Sequence, residues 1–356
     1  MRPKSSSRDL PPRLLRRTKR LNSGKLWVSF YYNGRDENGR RVEIPLGNDL
    51  NEAKRRWAEL EAKPMLRESG LMNYIFDRYE REVIPTKAPA TQRDNLANLK
   101  QLRQVFGSAP VDAITPQHIA QYRDHRTAKV RANREIALLS HVINRAREWG
   151  FSNKENPARG VRKNRETPRD FYVDEEVWAA VHKHAPVELQ DAMDLNYLTA
   201  QRPADVLKMT QTDIKDGALE VRQGKTNKRL RILLDRADGV RTELGMLLDR
   251  IRARPRKVRS LYLVATPAGV PLNRWTLRVR FDSARTLAAE AAEKKATPDA
   301  IALAARIRCF QFLDIRPRAA SDISDLGAAS KLLGHTEQQI TRKVYRRVGE
   351  TVKPTK

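Results

Sequence analysis

The chain has 356 residues, room for two or three domains, and its 70 lysines and arginines against 43 acidic residues leave a formal net charge of +27. Such an excess favours a polyanionic partner, because neutralised phosphates release condensed counterions, while 6% aromatic content argues against single-strand binding by base stacking. One cysteine excludes an internal disulfide framework and argues against a thiolate metal cluster; with neither an apolar run of transmembrane length nor a secretory signal in view, a cytoplasmic compartment is expected.

Residues 1–20 are basic and polar, with Arg13, Arg16, Arg17, Lys19 and Arg20 in one charge run. They read as a solvated, disordered tail in the free protein and as an arm that orders on nucleic acid. Residues 26–32 (LWVSFYY) and 41–46 (RVEIPL) carry strand patterns, and the intervening NGRDENGR holds two Asn-Gly pairs, a strong turn signal. A helical pattern over about 51–62 then places Ala53, Trp57 and Leu60 on one face. These pieces make a small unit, either a DNA-binding domain or a structural cap.

From 71 to about 164 the pattern is helical. Tyr74, Ile75, Tyr79 and Val83 mark one helix, and Leu96, Leu99, Leu102 and Phe106 a second. Pro116 suits the first position of another, and Ile136, Leu139, Val142, Ile143 and Ala146 face a last one ended by Gly150. Lys129, Arg131 and Arg134 on the polar faces are candidate DNA contacts, with Arg16, Arg17, Lys19 and Arg20 upstream. Residues 156–168 (NPARGVRKNRETP) read as a linker.

Beyond it, Asp174 is a good N-cap with Glu175 and Glu176 in the first turn. Helices are expected over about 187–199, from Pro203, and over 241–253, 272–293 and 298–306. Residues 217–234 alternate on both sides of a polar tip holding Lys225 and read as a hairpin. The expected fold is mainly α with small β-sheets (α+β). It has three parts: 1–65 as a basic arm and small β/α unit, 66–164 as a helical bundle, and 165–356 as a helix-rich domain with a β-hairpin.

The chain shows neither paired carboxylates, nor a glycine-rich phosphate loop, nor His/Cys ligand spacing. Phosphoryl chemistry here would need arginines in place of a metal; their guanidinium forks match phosphate oxygens and stay charged. Tyr345, flanked by Lys343, Arg346 and Arg347 and preceded by His335, is a candidate nucleophile. Taken singly, each residue also has an ordinary structural reading: Arg202 paired with Asp205, Arg316 with Asp314, Lys225 a turn lysine, His335 a core histidine, Tyr345 a packing residue.

Taken together, in this order, these residues carry a resemblance to the tyrosine recombinases, the phage-integrase type of site-specific recombinase. TAQRPADVLKM is similar to the family's first arginine box, with Arg202 as its arginine and Asp205 as the acidic residue. QGKTNKRLRILL resembles the hairpin bearing the catalytic lysine, Lys225. LDIRPRAASD resembles the second arginine box with Arg316, and LGHT the Leu-Gly-His with His335. The resemblance covers roughly residues 170–356, with weaker similarity upstream to a core-binding domain and an arm-type DNA-binding domain.

It implies a metal-independent enzyme without cofactors. Tyr345 would form a 3′-phosphotyrosyl link, Arg202 and Arg316 would hold the non-bridging oxygens, His335 would assist, and Lys225 on a mobile hairpin would protonate the leaving oxygen. It further implies strand exchange through a Holliday junction, a homotetramer on two duplex sites, accessory DNA-bending or directionality factors, and a C-shaped clamp formed by residues 71–356. Two departures stand out. Leu313 occupies a place usually held by histidine or lysine, for which Gln311 or Arg318 could compensate, and the gap from His335 to Tyr345 is one residue longer than expected. A type IB topoisomerase and a non-catalytic DNA-organising protein are the competing readings.

Overall fold

The computed structural model describes residues 9–35, 40–255 and 258–349. The chain divides into two compact units, Met1–Thr167 and Pro168–Lys356.

The first unit opens with a three-stranded antiparallel sheet, β1 (Leu14–Arg20), β2 (Leu26–Arg35) and β3 (Arg41–Gly47), in that order. The strand β1 corrects the expectation of a disordered tail over residues 1–20. Leu14 pairs with Tyr32 and Arg20 with Leu26, so a charge-rich segment gains a full ladder. Gly24 makes the connecting turn at φ 78°, where Leu21 and Lys25 close a backbone hydrogen bond of 2.9 Å. Residues 1–8 of the predicted arm, and 36–39 of the predicted Asn-Gly turn, lie outside the described residues.

Helix α1 (Leu50–Ser69) runs past the expected end at 62. Leu14, Phe30, Tyr32, Leu46 and Ala53 are buried together, with Trp57 and Leu60 packed against them. A second core belongs to α2 (Met72–Glu82), α3 (Pro89–Phe106), α4 (Pro116–His125) and α5 (Lys129–Glu148). Thr115 caps α4 in a capping box with His118, and Pro116 takes its first position.

The second unit builds its core from α6 (Glu175–His184), α7 (Val187–Thr199), α9 (Glu243–Ala253), α10 (Arg274–Glu293) and α11 (Pro298–Cys309). Asp174 accepts from the Val177 amide at 3.0 Å and so caps α6. Phe281 meets Phe310 and Phe312 edge-on at 4.9 and 5.5 Å between ring centroids. The helix expected from Pro203 shortens to one turn, α8 (Pro203–Val206). The predicted hairpin is present with an extra strand: β4 (Ile214–Lys215), β5 (Ala218–Arg222) and β6 (Arg229–Leu233) form one antiparallel sheet. The described residues of this unit close with α12 (Ile315–Asp322), α13 (Leu326–Leu333), the single turn α14 (Gln338–Ile340) and a π-turn over Thr341–Tyr345.

Candidate active site

Three short segments converge around Arg316. Ala200 ends α7 in the left-handed region at φ 50°, which turns its carbonyl back toward α12. Gly334 ends α13 at φ 72°, with His335 N–H donating to the Ser330 carbonyl at 3.0 Å and Gly334 N–H to Lys331 at 3.0 Å. This is a Schellman cap, and it fixes where His335 leaves the helix. Small side chains let the backbones close in: Ala200, Ala319, Ala320 and Leu333 are buried together, with Tyr197 and Tyr345 packed against them.

Arg316 sits on the first turn of α12 and is 3% exposed. Its guanidinium donates to the Ala200 carbonyl at 2.6 Å and to the Leu333 carbonyl at 2.9 Å. Its Nε is buried without a partner. Neutral carbonyls therefore hold a buried cation in place, which leaves it poised for an anion. Burial pulls its pKa down from the ordinary value to about 10, the Tyr345 hydroxyl opposes that shift, and Arg202 adds to it. The group stays charged at neutral pH.

His335 and Tyr345 stand over this cation. The His335 Nε2 lies 3.5 Å from Arg316 Nη2, and Nδ1 lies 2.7 Å from Thr341 Oγ1. A guanidinium can only donate, so Nε2 carries the lone pair and Nδ1–H donates to the threonine. Burial first, then the charges of Arg316 and Arg202, pull the imidazole down to about 4, so it is neutral at pH 7. The Tyr345 ring centroid lies 4.8 Å from that of His335 and 5.2 Å from the Arg316 guanidinium carbon.

The segment before Tyr345 is wound irregularly. Thr341–Tyr345 forms a π-turn closed by Arg346 N–H donating to the Thr341 carbonyl at 3.0 Å, a five-residue step. A turn of this kind holds one residue more than an α-helical turn, and Tyr345 lies beside Arg316. Ser321 Oγ then accepts from the Arg347 amide at 2.9 Å and donates to the Pro317 carbonyl at 2.9 Å, with the Tyr345 carbonyl farther off at 3.3 Å.

Arg202 approaches from the other side. Its Nη1 donates to Gln223 Oε1 at 3.1 Å and stands 3.9 Å from Asp205 Oδ2. Asp205 accepts the Gly224 amide at 2.9 Å through Oδ1, while Oδ2 is buried without a hydrogen bond. Lys225 is exposed on the turn between β5 and β6. Four of the five predicted residues, Arg202, Arg316, His335 and Tyr345, thus act on one another directly or through their charges, and Lys225 stands on the adjoining turn.

Leu313 is 49% exposed. Arg318 is committed to other partners. That side chain is 7% exposed, lies over the Trp178 ring at 4.8 Å, and donates to Glu175 at 2.5 Å, so its guanidinium is already engaged. Arg316 does not pair with Asp314. Asp314 accepts from Arg169 at 2.7 and 2.6 Å and from Arg347 at 2.7 Å. Sequence reasoning missed Gln223, Thr341, Ser321 and this arginine pair; the QGKT spacing was the one signal that pointed near any of them.

The candidate DNA contacts of the first unit are on its surface. Arg16, Arg17, Lys19 and Arg20 are exposed along β1, where Arg17 also bonds Glu43 at 2.6 Å. Lys129, Arg131 and Arg134 are exposed on α5, where Arg134 bonds Glu166 at 2.9 Å.

No family model matches the chain. It is 26% identical over 301 residues to an integrase of Escherichia phage HK022, covering 78% of this chain and 80% of that one. An integrase of Enterobacteria phage 434 is 28% identical over 247 residues, covering 63% and 65%. Among solved structures, a lambda integrase dimer bound to a COC′ core site matches with a TM-score of 0.65 at 20% identity, over 98% of this chain and 99% of that one. A lambda integrase tetramer bound to a Holliday junction matches with a TM-score of 0.64 at 22% identity, over the same shares. The fold is that of lambda integrase: mainly α, with two small antiparallel sheets. Both sequence relatives are integrases, and the fold matches that of lambda integrase.

Proposed function

We propose that this chain is an integrase-type site-specific recombinase that cleaves and rejoins duplex DNA through a covalent 3′-phosphotyrosyl intermediate on Tyr345. The observation that carries the reading is Arg316: a buried guanidinium held by neutral carbonyls, with its Nε left without a hydrogen-bond partner, beside a neutral histidine and a tyrosine. A phosphodiester is the anion that suits it.

In the proposed step the Tyr345 oxygen bonds to phosphorus and the bond from phosphorus to the 5′ oxygen breaks. Arg316 and Arg202 take the charge on the non-bridging oxygens. His335, whose ring lies beside that of Tyr345, assists, and the Lys225 ammonium supplies a proton to the departing 5′ oxygen. The tyrosyl ester conserves the bond energy, so no nucleotide cofactor enters; the 5′ hydroxyl of a partner strand reverses the attack. The core-site dimer and junction-bound tetramer of lambda integrase support two rounds of exchange through a Holliday junction by a homotetramer on two duplex sites.

Lys129, Arg131 and Arg134 would contact the core duplex, and Arg16, Arg17, Lys19 and Arg20 a separate arm site, with DNA-bending or directionality factors as accessories. The 1–65, 66–164 and 165–356 division would then correspond to arm-binding, core-binding and catalytic parts. The test is a nicked suicide duplex carrying the attachment sequence. The unmutated protein should give a denaturation-resistant adduct, and Tyr345→Phe should bind the duplex without forming one. An adduct of unchanged yield from Tyr345→Phe refutes the assignment.

A further inference from the structure

We propose that Gln223 is the positioning residue that registers the Lys225 turn against Arg202 and Arg316, and so sets where the leaving-oxygen proton is delivered. The inference rests on the roles proposed above for Tyr345 and Lys225.

Gln223 is 0% exposed and lies at the base of the turn between β5 and β6. Its Oε1 accepts from Arg202 Nη1 at 3.1 Å and from Thr226 Oγ1 at 2.6 Å. Its Nε2 donates to Gln201 Oε1 at 2.8 Å and to the Leu333 carbonyl at 2.9 Å. A carboxamide has two donor hydrogens and two acceptor lone pairs, and all four are used. Glutamate in this place would lose both donors, and an apolar side chain would lose everything.

The partners give this set its meaning. Leu333 offers the carbonyl that also holds Arg316, and it precedes the glycine that releases His335. Arg202 is the other phosphate-facing cation. Thr226 is the residue after Lys225, and on the other flank the Gly224 amide is held by Asp205 at 2.9 Å. The turn is therefore tied on both sides of a lysine whose own side chain is exposed. These ties set the turn from which its side chain extends, and Gln223 bonds Arg202 directly and shares the Leu333 carbonyl with Arg316. The close approach also explains Gly334: a Cβ there would lie 2.6 Å from Gln223 Nε2.

Sulfur in place of the bridging 5′ oxygen separates this role from a merely structural one. A thiol of pKa about 8.5 leaves without being protonated, so a step that depends on delivering a proton to the leaving atom becomes insensitive to Lys225. The measurement is the rate of adduct formation at saturating duplex, on 5′-oxygen and 5′-sulfur suicide substrates. Thr226→Val removes only the hydroxyl bond to Gln223 at an exposed site; Gln223→Leu removes all four bonds. Thr226→Val should slow the oxygen substrate about tenfold and Gln223→Leu about a hundredfold, with unchanged duplex affinity. Sulfur should restore Thr226→Val to the unmutated rate and recover most of the loss in Gln223→Leu.

Equal losses on both substrates, or Thr226→Val at the unmutated rate on oxygen, overturn the inference. Should Gln223→Leu not fold, Thr226→Val alone decides. The controls separate the layers: an unmutated protein that forms no adduct, or a Lys225→Ala variant that sulfur does not rescue, brings down the underlying site assignment instead.

Discussion

Asp314 offers the sharpest energetic test of how the nucleophile segment is held. It is 0% exposed, and its carboxylate accepts from Arg169 at the entry to the second unit and from Arg347, two residues past Tyr345. The Arg347 side chain is 6% exposed and also donates to the Phe171 carbonyl at 2.5 Å, whereas the Arg169 side chain is 33% exposed. Arg347→Met removes a charge-assisted bond at a buried site and should cost about 2–3 kcal/mol. Asp314→Asn leaves a buried guanidinium facing a neutral amide and should cost about 3–5 kcal/mol. Arg169→Met, at a site water partly screens, should cost about 1 kcal/mol.

Urea titration followed by circular dichroism, with hydrogen exchange on α12 as the local reporter, measures all three. Arg347→Met should also slow adduct formation by about tenfold or more, because the arginine anchors the chain just beyond the tyrosine. The reasoning is refuted if Asp314→Asn matches the unmutated protein in stability, or if Arg169→Met costs as much as Arg347→Met.

Three further outcomes follow from the same geometry. His335 is held near a pKa of about 4, against about 6.5 in an unfolded chain, so the unfolded state binds the extra proton. Stability from this residue is complete above about pH 6.5 and is lost as pH falls toward about 4; the slope of urea midpoint against pH should flatten in His335→Gln, and an identical slope contradicts the burial argument. Gly334→Ala should cost about 2 kcal/mol in the same titration, since φ 72° disfavours a Cβ and the methyl meets Gln223; a neutral effect would show that Gln223 moves aside freely. Deleting Lys343 should turn the π-turn into an ordinary helical turn and leave the adduct rate within about tenfold; abolition of the adduct would mean that the extra residue is required for placing Tyr345.

The sequence made the site's motif segments readable because their chemistry is local. Arg202, Arg316, His335 and Tyr345 each sit in a short pattern, and α7, α12 and α13 bring those patterns to one point. Helix starts at Thr115 and Asp174 were equally legible, since a cap is a property of three or four adjacent residues. What escaped was tertiary. The sequence β1 looks like a tail because Arg16, Arg17, Lys19 and Arg20 face water, and only pairing with β2 makes it a strand. The alternative reading of Arg316 as a partner of Asp314 fails because residues two apart do not face each other on a helix; Asp314 instead answers arginines 145 residues upstream and 33 downstream. Gln223 carries no signal of its own, since its role exists only once Arg202, Thr226 and Leu333 surround it.

The central claim concerns one oxygen atom. Digesting the trapped protein–DNA adduct and sequencing the modified peptide by mass spectrometry locates it directly. The account predicts a nucleotide 3′-phosphate esterified to Tyr345, within the peptide spanning residues 344–346 after tryptic cleavage. A modified residue elsewhere, or an adduct carrying a 5′-phosphate, would contradict it.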